Sequence, residues 1–220
     1  AYDMGNIEGF IKRIEAENGI AYAPMQKRAI AAMLKNGVMV LTGGPGTGKT
    51  TIIKALIRVF DSIGMNIALA APTGRAAKRM SEATQMEAKT IHRMLEIDFS
   101  VTDSPAFRRN ESIYLDEIVF IIDETSMIDT EIMCALLKAI KPGSRLLLIG
   151  DCDQLPSVGP GNVLNDIIDA DLFETIRLTE VFRQASESMI VTNAHLINSG
   201  ELPELESKNS DFFFLTRASD

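Results

Sequence analysis

Four short apolar runs mark the chain, and each stops at glycine, proline or an acidic residue. Val38-Met39-Val40-Leu41-Thr42 runs into glycines, and Ile67-Ala68-Leu69-Ala70-Ala71 runs into Pro72. Ile118-Val119-Phe120-Ile121-Ile122 ends at Asp123-Glu124, and Leu146-Leu147-Leu148-Ile149 ends at Gly150-Asp151. None of the four alternates apolar with polar. That pattern belongs to strands covered on both faces, which is the condition of a parallel sheet. Helical patterns lie between them, near 24–36, 48–62, 73–84 and 129–140. The strand–helix order predicts an α/β fold, a mainly parallel sheet with helices on both faces. Ligands of such sheets bind at the carboxyl ends of the strands. Polar and glycine-rich residues follow all four runs, so the chemistry is expected on that rim.

The flanks break the pattern. Residues 1–22 read as a helical lead-in to a main unit spanning 23–200. Within that unit, Glu96 to Asp116 is polar, contains Pro105 and carries Phe99, Phe107 and Tyr114. It reads as a small insertion, in the form of a hairpin. Residues 201–220 read as the start of a next segment, with Phe212-Phe213-Phe214-Leu215 expected as one more strand.

Composition narrows the class. Of 220 residues, 46% are hydrophobic and 24% charged, which excludes a disordered or fibrous chain. No apolar run approaches the ~18 residues needed to span a bilayer, and Ala1-Tyr2-Asp3-Met4-Gly5-Asn6 shows no signal peptide. The expectation is a protein without a membrane partner. The net charge of −8 alone argues against nucleic acid, since phosphate binding needs clustered Lys and Arg. The charge is uneven, however: Gly74 to Arg109 carries +2, so the remainder carries −10. The two cysteines, Cys134 in an apolar helical run and Cys152 in a turn, form no disulfide framework and suit a reduced cytoplasmic compartment.

Gly43-Gly44-Pro45-Gly46-Thr47-Gly48-Lys49-Thr50 fits the phosphate-loop pattern G-x-x-x-x-G-K-[ST], with an apolar strand before it and the helical run Ile52–Ile57 after it. Glycines let backbone N–H groups wrap phosphate oxygens, and the positive end of the following helix faces the same anion. Lys49 would reach the β- and γ-phosphates, and the Thr50 hydroxyl would ligate Mg²⁺. If the strand ending at Ile122 neighbours the phosphate-loop strand, Asp123 would hold Mg²⁺ and Glu124 would deprotonate the attacking water. A nucleotide kinase has an acceptor and needs no such base, whereas a nucleoside triphosphatase does. Gln154, on the loop after Leu146–Ile149, is a neutral donor suited to the γ-phosphate or the attacking water. Arg183 is a candidate arginine finger, and Gln26 a candidate for reading the adenine edge.

These residues together resemble superfamily 1 DNA helicases, in the RecD-type branch, the exodeoxyribonuclease V alpha-subunit family. The resemblance rests on Gln26, Gly43–Thr50, Ala71-Pro72-Thr73-Gly74-Arg75-Ala76-Ala77, Thr90-Ile91-His92 and Asp123-Glu124-Thr125-Ser126-Met127. It continues through Gly150-Asp151-Cys152-Asp153-Gln154-Leu155-Pro156-Ser157-Val158-Gly159 and Val181-Phe182-Arg183-Gln184, and covers roughly residues 22–200. It implies a RecA-like P-loop fold, the first of two motor domains, and ATP with Mg²⁺ as ligands. Gln26 would contact adenine, and Gly44, Pro45, Gly46, Thr47, Gly48, Lys49, Thr50 and Thr51 would hold the nucleotide. Thr50 and Asp123 would hold the metal; Lys49, Asp123, Glu124, Gln154 and Arg183 would carry the hydrolysis. Pro72, Thr73, Arg75, Thr90 and His92 would lie along single-stranded DNA, where hydroxyls, backbone N–H groups and one arginine grip phosphates without reading sequence. The resemblance further implies 5′→3′ movement, a role in DNA recombination or repair, a second RecA-like domain in the parent chain, and partners in a nuclease complex. No second-domain motif follows Arg183, so the piece alone is expected to hydrolyse ATP weakly and not to unwind DNA. The alternatives are a P-loop ATPase switch outside the helicases and a non-catalytic docking module.

Overall fold

Strands without a polar face must be covered on both sides, and alternating strand with helix does so. The computed structural model describes residues 7–98, 106–180, 188–205 and 211–215. Helices α1 (Ile7–Asn18) and α2 (Pro24–Lys35) precede β1 (Val38–Gly43), α3 (Lys49–Ser62), β2 (Ile67–Ala71), α4 (Gly74–Thr84), β3 (Ala88–Thr90) and α5 (Ile91–Met94). A two-stranded excursion, β4 (Ile97–Asp98) and β5 (Ala106–Phe107), leads to β6 (Val119–Ile122) and a 3₁₀ turn (Thr125–Met127). Then come α6 (Thr130–Ala139), β7 (Arg145–Gly150), α7 (Val163–Asp169), β8 (Glu174–Leu178) and α8 (Met189–Asn198).

Six strands form one sheet in the order β3-β2-β6-β7-β1-β8, and every pairing is parallel. The register runs level across it: Thr175, Val40, Leu148, Ile122, Ala70 and Lys89 share one row. The carboxyl ends of all six strands therefore open on one rim. The period-two alternation of the strands divides the core. Met39, Leu41, Leu147, Ile149 and Ile121 pack with α1, α2 and α3 on one face. Val40, Leu146, Leu148, Phe120 and Ile122 pack with α5, α6 and α7 on the other.

Local chemistry sets the helix ends. Pro24 opens α2, and the Gln26 side-chain oxygen accepts the Ala23 N–H at 3.0 Å. The Thr73 hydroxyl accepts the Ala76 N–H to start α4, and Asp129 accepts the Ile132 N–H to start α6. The far end of α2 is closed from the sheet, where Arg145 Nη1 donates to the carbonyls of Met33 and Asn36 at 3.0 and 2.6 Å.

The four apolar runs all form central strands, and the excursion is a hairpin-like antiparallel pair, Ile97 opposite Phe107. Two edge strands lie outside these four runs. β3 is short and polar, and β8 alternates polar with apolar, as an edge strand does. Phe212–Leu215 is not a strand but an irregular stretch, with Phe213 exposed. Its neighbour Asp211 instead receives hydrogen bonds from the Ser188 hydroxyl and the Met189 N–H at the start of α8. Among the described residues, no helix is long and apolar enough to cross a membrane.

Candidate active site

The loop from β1 to α3 turns through Gly46 and Gly48, whose φ angles of 76° and 85° lie where a Cβ would be strained. The Thr47 hydroxyl donates to the Gly44 carbonyl at 2.8 Å and holds the loop's curvature. Lys49, the first residue of α3, folds back over the loop and donates to the carbonyls of Gly43 and Gly44. Burial pushes its amine below the ordinary lysine range, while the negative charges of Asp151, Asp123 and Glu124 act against that shift.

The acid pair stands across a cavity of about 570 Å³ lined by Pro45–Thr51, Arg79, Asp123, Glu124 and Gln154. The strand order behind this differs from the simplest expectation. β6 is not the neighbour of β1, because β7 runs between them. Two inter-strand spacings of about 4.8 Å separate the strand ends, which leaves the width of a polyphosphate between loop and acids. The Asp123 N–H continues the ladder to the Ala70 carbonyl, and its Oδ1 accepts the Glu124 N–H at 2.9 Å. Glu124 sits in the left-handed region (φ 54°, ψ 41°) and turns the chain into the 3₁₀ segment. Burial raises both carboxyls above their ordinary values. For Glu124 the adjacent Asp123 charge adds to the rise, and Lys49 and Arg79 oppose it for both. The Thr50 hydroxyl and these carboxylates are hard oxygen donors at one cavity. Their charge, costly while buried, would be relieved by a dication, so the donor set suits Mg²⁺.

The chain leaves β7 through Asp151, which is 4% exposed. Gln154 Nε2 reaches Asp151 Oδ2 at 3.4 Å, and the Cys152 N–H donates to the Thr42 hydroxyl at 3.1 Å. The loop carrying Gln154 is thereby tied to β1. Further on it closes over α6, where the Thr130 N–H and hydroxyl both donate to the Pro160 carbonyl. Both cysteines are free thiols, Cys134 exposed and Cys152 partly covered.

The structure thus brings Pro45–Thr51, Asp123, Glu124 and Gln154 around one cavity, with Gly44 just behind its loop. Gln26 does not line it, and its side-chain oxygen is engaged at the start of α2. Pro72, Thr73 and Arg75 follow the end of β2, while Thr90 and His92 stand at the end of β3, its neighbour. The Thr90 hydroxyl accepts the Arg93 N–H, and the His92 ring tilts against Phe107 at 5.9 Å between centroids. Arg183 lies outside the described residues.

Two further residues stand at the site with no motif to mark them. Arg79 lines the cavity from α4, and its only signal was the four-residue spacing from Arg75. His195, on α8, lies against the phosphate loop: its Cε1 is 2.8 Å from where a Cβ on Gly44 would stand. His195 Nε2 is buried with no hydrogen-bond partner. A lone histidine in a helical pattern carries no such signal.

A family model described as "AAA domain" matches residues 21–212. The ATP-dependent RecD2 DNA helicase of Deinococcus radiodurans is 43% identical over 166 residues, covering 76% of this chain and 22% of that protein. The RecBCD enzyme subunit RecD of Mycobacterium tuberculosis is 37% identical over 201 residues, covering 80% of this chain and 34% of that one. The chain therefore spans about a quarter to a third of the length of these relatives. Among solved structures, the Pif1 helicase from Candida albicans aligns with TM-score 0.61 at 24% identity, over 84% of this chain and 46% of that one. A Bacteroides Pif1 in complex with ADP-AlF4 aligns with TM-score 0.53 at 25% identity, over 81% and 45%. The shared architecture is the RecA-like P-loop fold. With its phosphate loop, acid pair and parallel sheet, the chain belongs to the AAA domain family, and RecD-type DNA helicases are its relatives.

Proposed function

We propose that this domain is the ATP-hydrolysing motor of a RecD-type DNA helicase. The observation that carries the reading is the single cavity shared by Lys49, Thr50, Asp123, Glu124 and Gln154. Lys49 exchanges two neutral carbonyl acceptors for the anionic β- and γ-phosphates, which bind an ammonium more strongly. The loop N–H groups and the start of α3 hold the phosphates in place. Thr50 and Asp123 would hold Mg²⁺, which when bound neutralises charge on the phosphates. Glu124 takes a proton from water; the water oxygen bonds to the γ-phosphorus, and the bond to the ADP oxygen breaks, releasing ADP and phosphate. Gln154 orients the water or the γ-phosphate, and Arg183 stabilises the charge that develops there. Gln26, whose side-chain oxygen is held at the start of α2, would offer its amide N–H to the adenine.

The strand-end residues Pro72, Thr73, Arg75, Thr90 and His92 form the track for single-stranded DNA on the same rim. In the intact protein a second RecA-like domain closes over the nucleotide, and closure drives movement along the strand in the 5′→3′ direction. The RecD relatives support a role in recombination or repair, with nuclease-complex subunits as partners. Bacterial relatives and two free thiols support a cytoplasmic setting. Glu124 beside Asp123 favours hydrolysis over transfer to an acceptor, and so opposes a kinase.

The test is ATP hydrolysis by the intact protein with and without single-stranded DNA, beside calorimetry with a non-hydrolysable Mg-ATP analogue. The expected result is DNA-stimulated hydrolysis that falls at least 100-fold in Lys49→Ala and Glu124→Gln. Lys49→Ala should also lose analogue binding, while Glu124→Gln keeps it. Hydrolysis indifferent to DNA would overturn the motor reading. Activity intact in Lys49→Ala would return the domain to a docking role.

A further inference from the structure

The phosphate-loop cavity has one basic wall besides Lys49, and that wall comes from a helix with a second proposed task. Arg79 lines the cavity holding the phosphate loop. It also lines a smaller one of about 90 Å³, which it shares with Thr50, Asp123 and Glu124. It therefore stands between the acid pair and the surface of α4. Its positive charge reaches both carboxylates and opposes the rise that burial gives them. The helix that carries it begins at Thr73 and Gly74, in the stretch assigned to the DNA track. Arg75 and Arg79 are four residues apart and so share one helix face. Between them Ala77 is buried, and Met80 follows, packed in the core beneath α3. The Thr73 cap and the buried Ala77 and Met80 make the first turn and Arg79 parts of one packed element.

We propose that Arg79 is a positioning residue of the hydrolytic site, holding Asp123 and Glu124 from α4, and that through this helix single-stranded DNA bound at its first turn is coupled to hydrolysis. The charges lining the cavity support this. When Lys49 is taken up by the phosphates, Arg79 is the remaining cation lining the cavity opposite the two carboxylates. Its planar fork of donors suits a carboxylate pair better than an ammonium would. The inference rests on the motor reading given above.

The experiment is steady-state hydrolysis by the intact protein across ATP and single-stranded DNA concentrations, for wild type, Arg79→Gln and Arg79→Lys, with DNA affinity measured separately by fluorescence anisotropy. Arg79→Gln should lower kcat 10- to 100-fold and reduce DNA stimulation to under twofold. KM for ATP and the Kd for DNA should stay within threefold. Arg79→Lys should recover part of the stimulation. Wild-type stimulation that survives in Arg79→Gln would overturn this inference alone. A loss explained by DNA affinity would also overturn it, making Arg79 a strand contact. Absence of stimulation in wild type would overturn the motor reading together with it.

Discussion

His195 and Gly44 are in contact such that any side chain at 44 would displace the imidazole: a Cβ there would lie 2.8 Å from His195 Cε1. The phosphate loop is thus backed by α8, a helix from the far end of the described chain. The contact explains a glycine that phosphate binding alone does not require, since the pattern leaves this position open. Gly44→Ala should lose about 1–3 kcal/mol of stability through overpacking, and ATP affinity should fall at least fivefold as the loop shifts. His195→Ala in the same chain should restore most of both. A double-mutant cycle read by thermal melts and calorimetry checks the coupling. Additive effects would mean the two residues act separately.

Asp123 should be a destabilising residue kept for its charge. Burial raises its folded pKa, so between the ordinary carboxyl value and that raised value the native state holds more protons than the unfolded one. Stability then falls as pH rises from the ordinary carboxyl value to the raised folded one, and the full penalty is present above the folded pKa. Asp123→Asn keeps the oxygen that accepts the Glu124 N–H and removes the charge. It should raise Tm at pH 7.5 by about 2–4 °C, with the gain shrinking toward pH 4, while hydrolysis falls at least 100-fold. Melts across pH settle it; a pH-independent Tm difference would contradict the charge explanation.

Arg145 should matter for stability and not for chemistry. Its guanidinium satisfies the Met33 and Asn36 carbonyls, two acceptors at the end of α2. Arg145→Ala should cost about 2–3 kcal/mol, the scale for hydrogen bonds from a charged donor. Urea unfolding should show the loss as a lower midpoint with an unchanged slope, and affinity for a Mg-ATP analogue should be unaltered.

What the sequence made legible follows from where each residue is buried. The strands β1, β2, β6 and β7 are covered on both faces, so each reads as an unbroken apolar run. β3 and β8 lie at the sheet's edges and keep polar positions such as Lys89, Glu174 and Arg177, which hide them. Phe212-Phe213-Phe214-Leu215 has the composition of a strand and none of the pairing. The phosphate loop is legible because its chemistry is contiguous, and the acid pair because it ends a strand. The insertion of β7 between them is a matter of strand order, which local sequence does not encode. Arg79 and His195 were invisible for a related reason: their meaning comes from the packing of α4 and α8 against the loop and the acids.

Glu124 holds a left-handed backbone that glycine or asparagine would adopt with less strain. If Glu124 is the base proposed above, selection for hydrolysis would hold a glutamate there against local preference. In a copy that no longer hydrolyses ATP, nothing opposes drift toward the relaxed residue. On the role proposed for Glu124, a homologue with Gly or Asn at this turn and its loop lysine intact is expected to grip nucleotide without spending it.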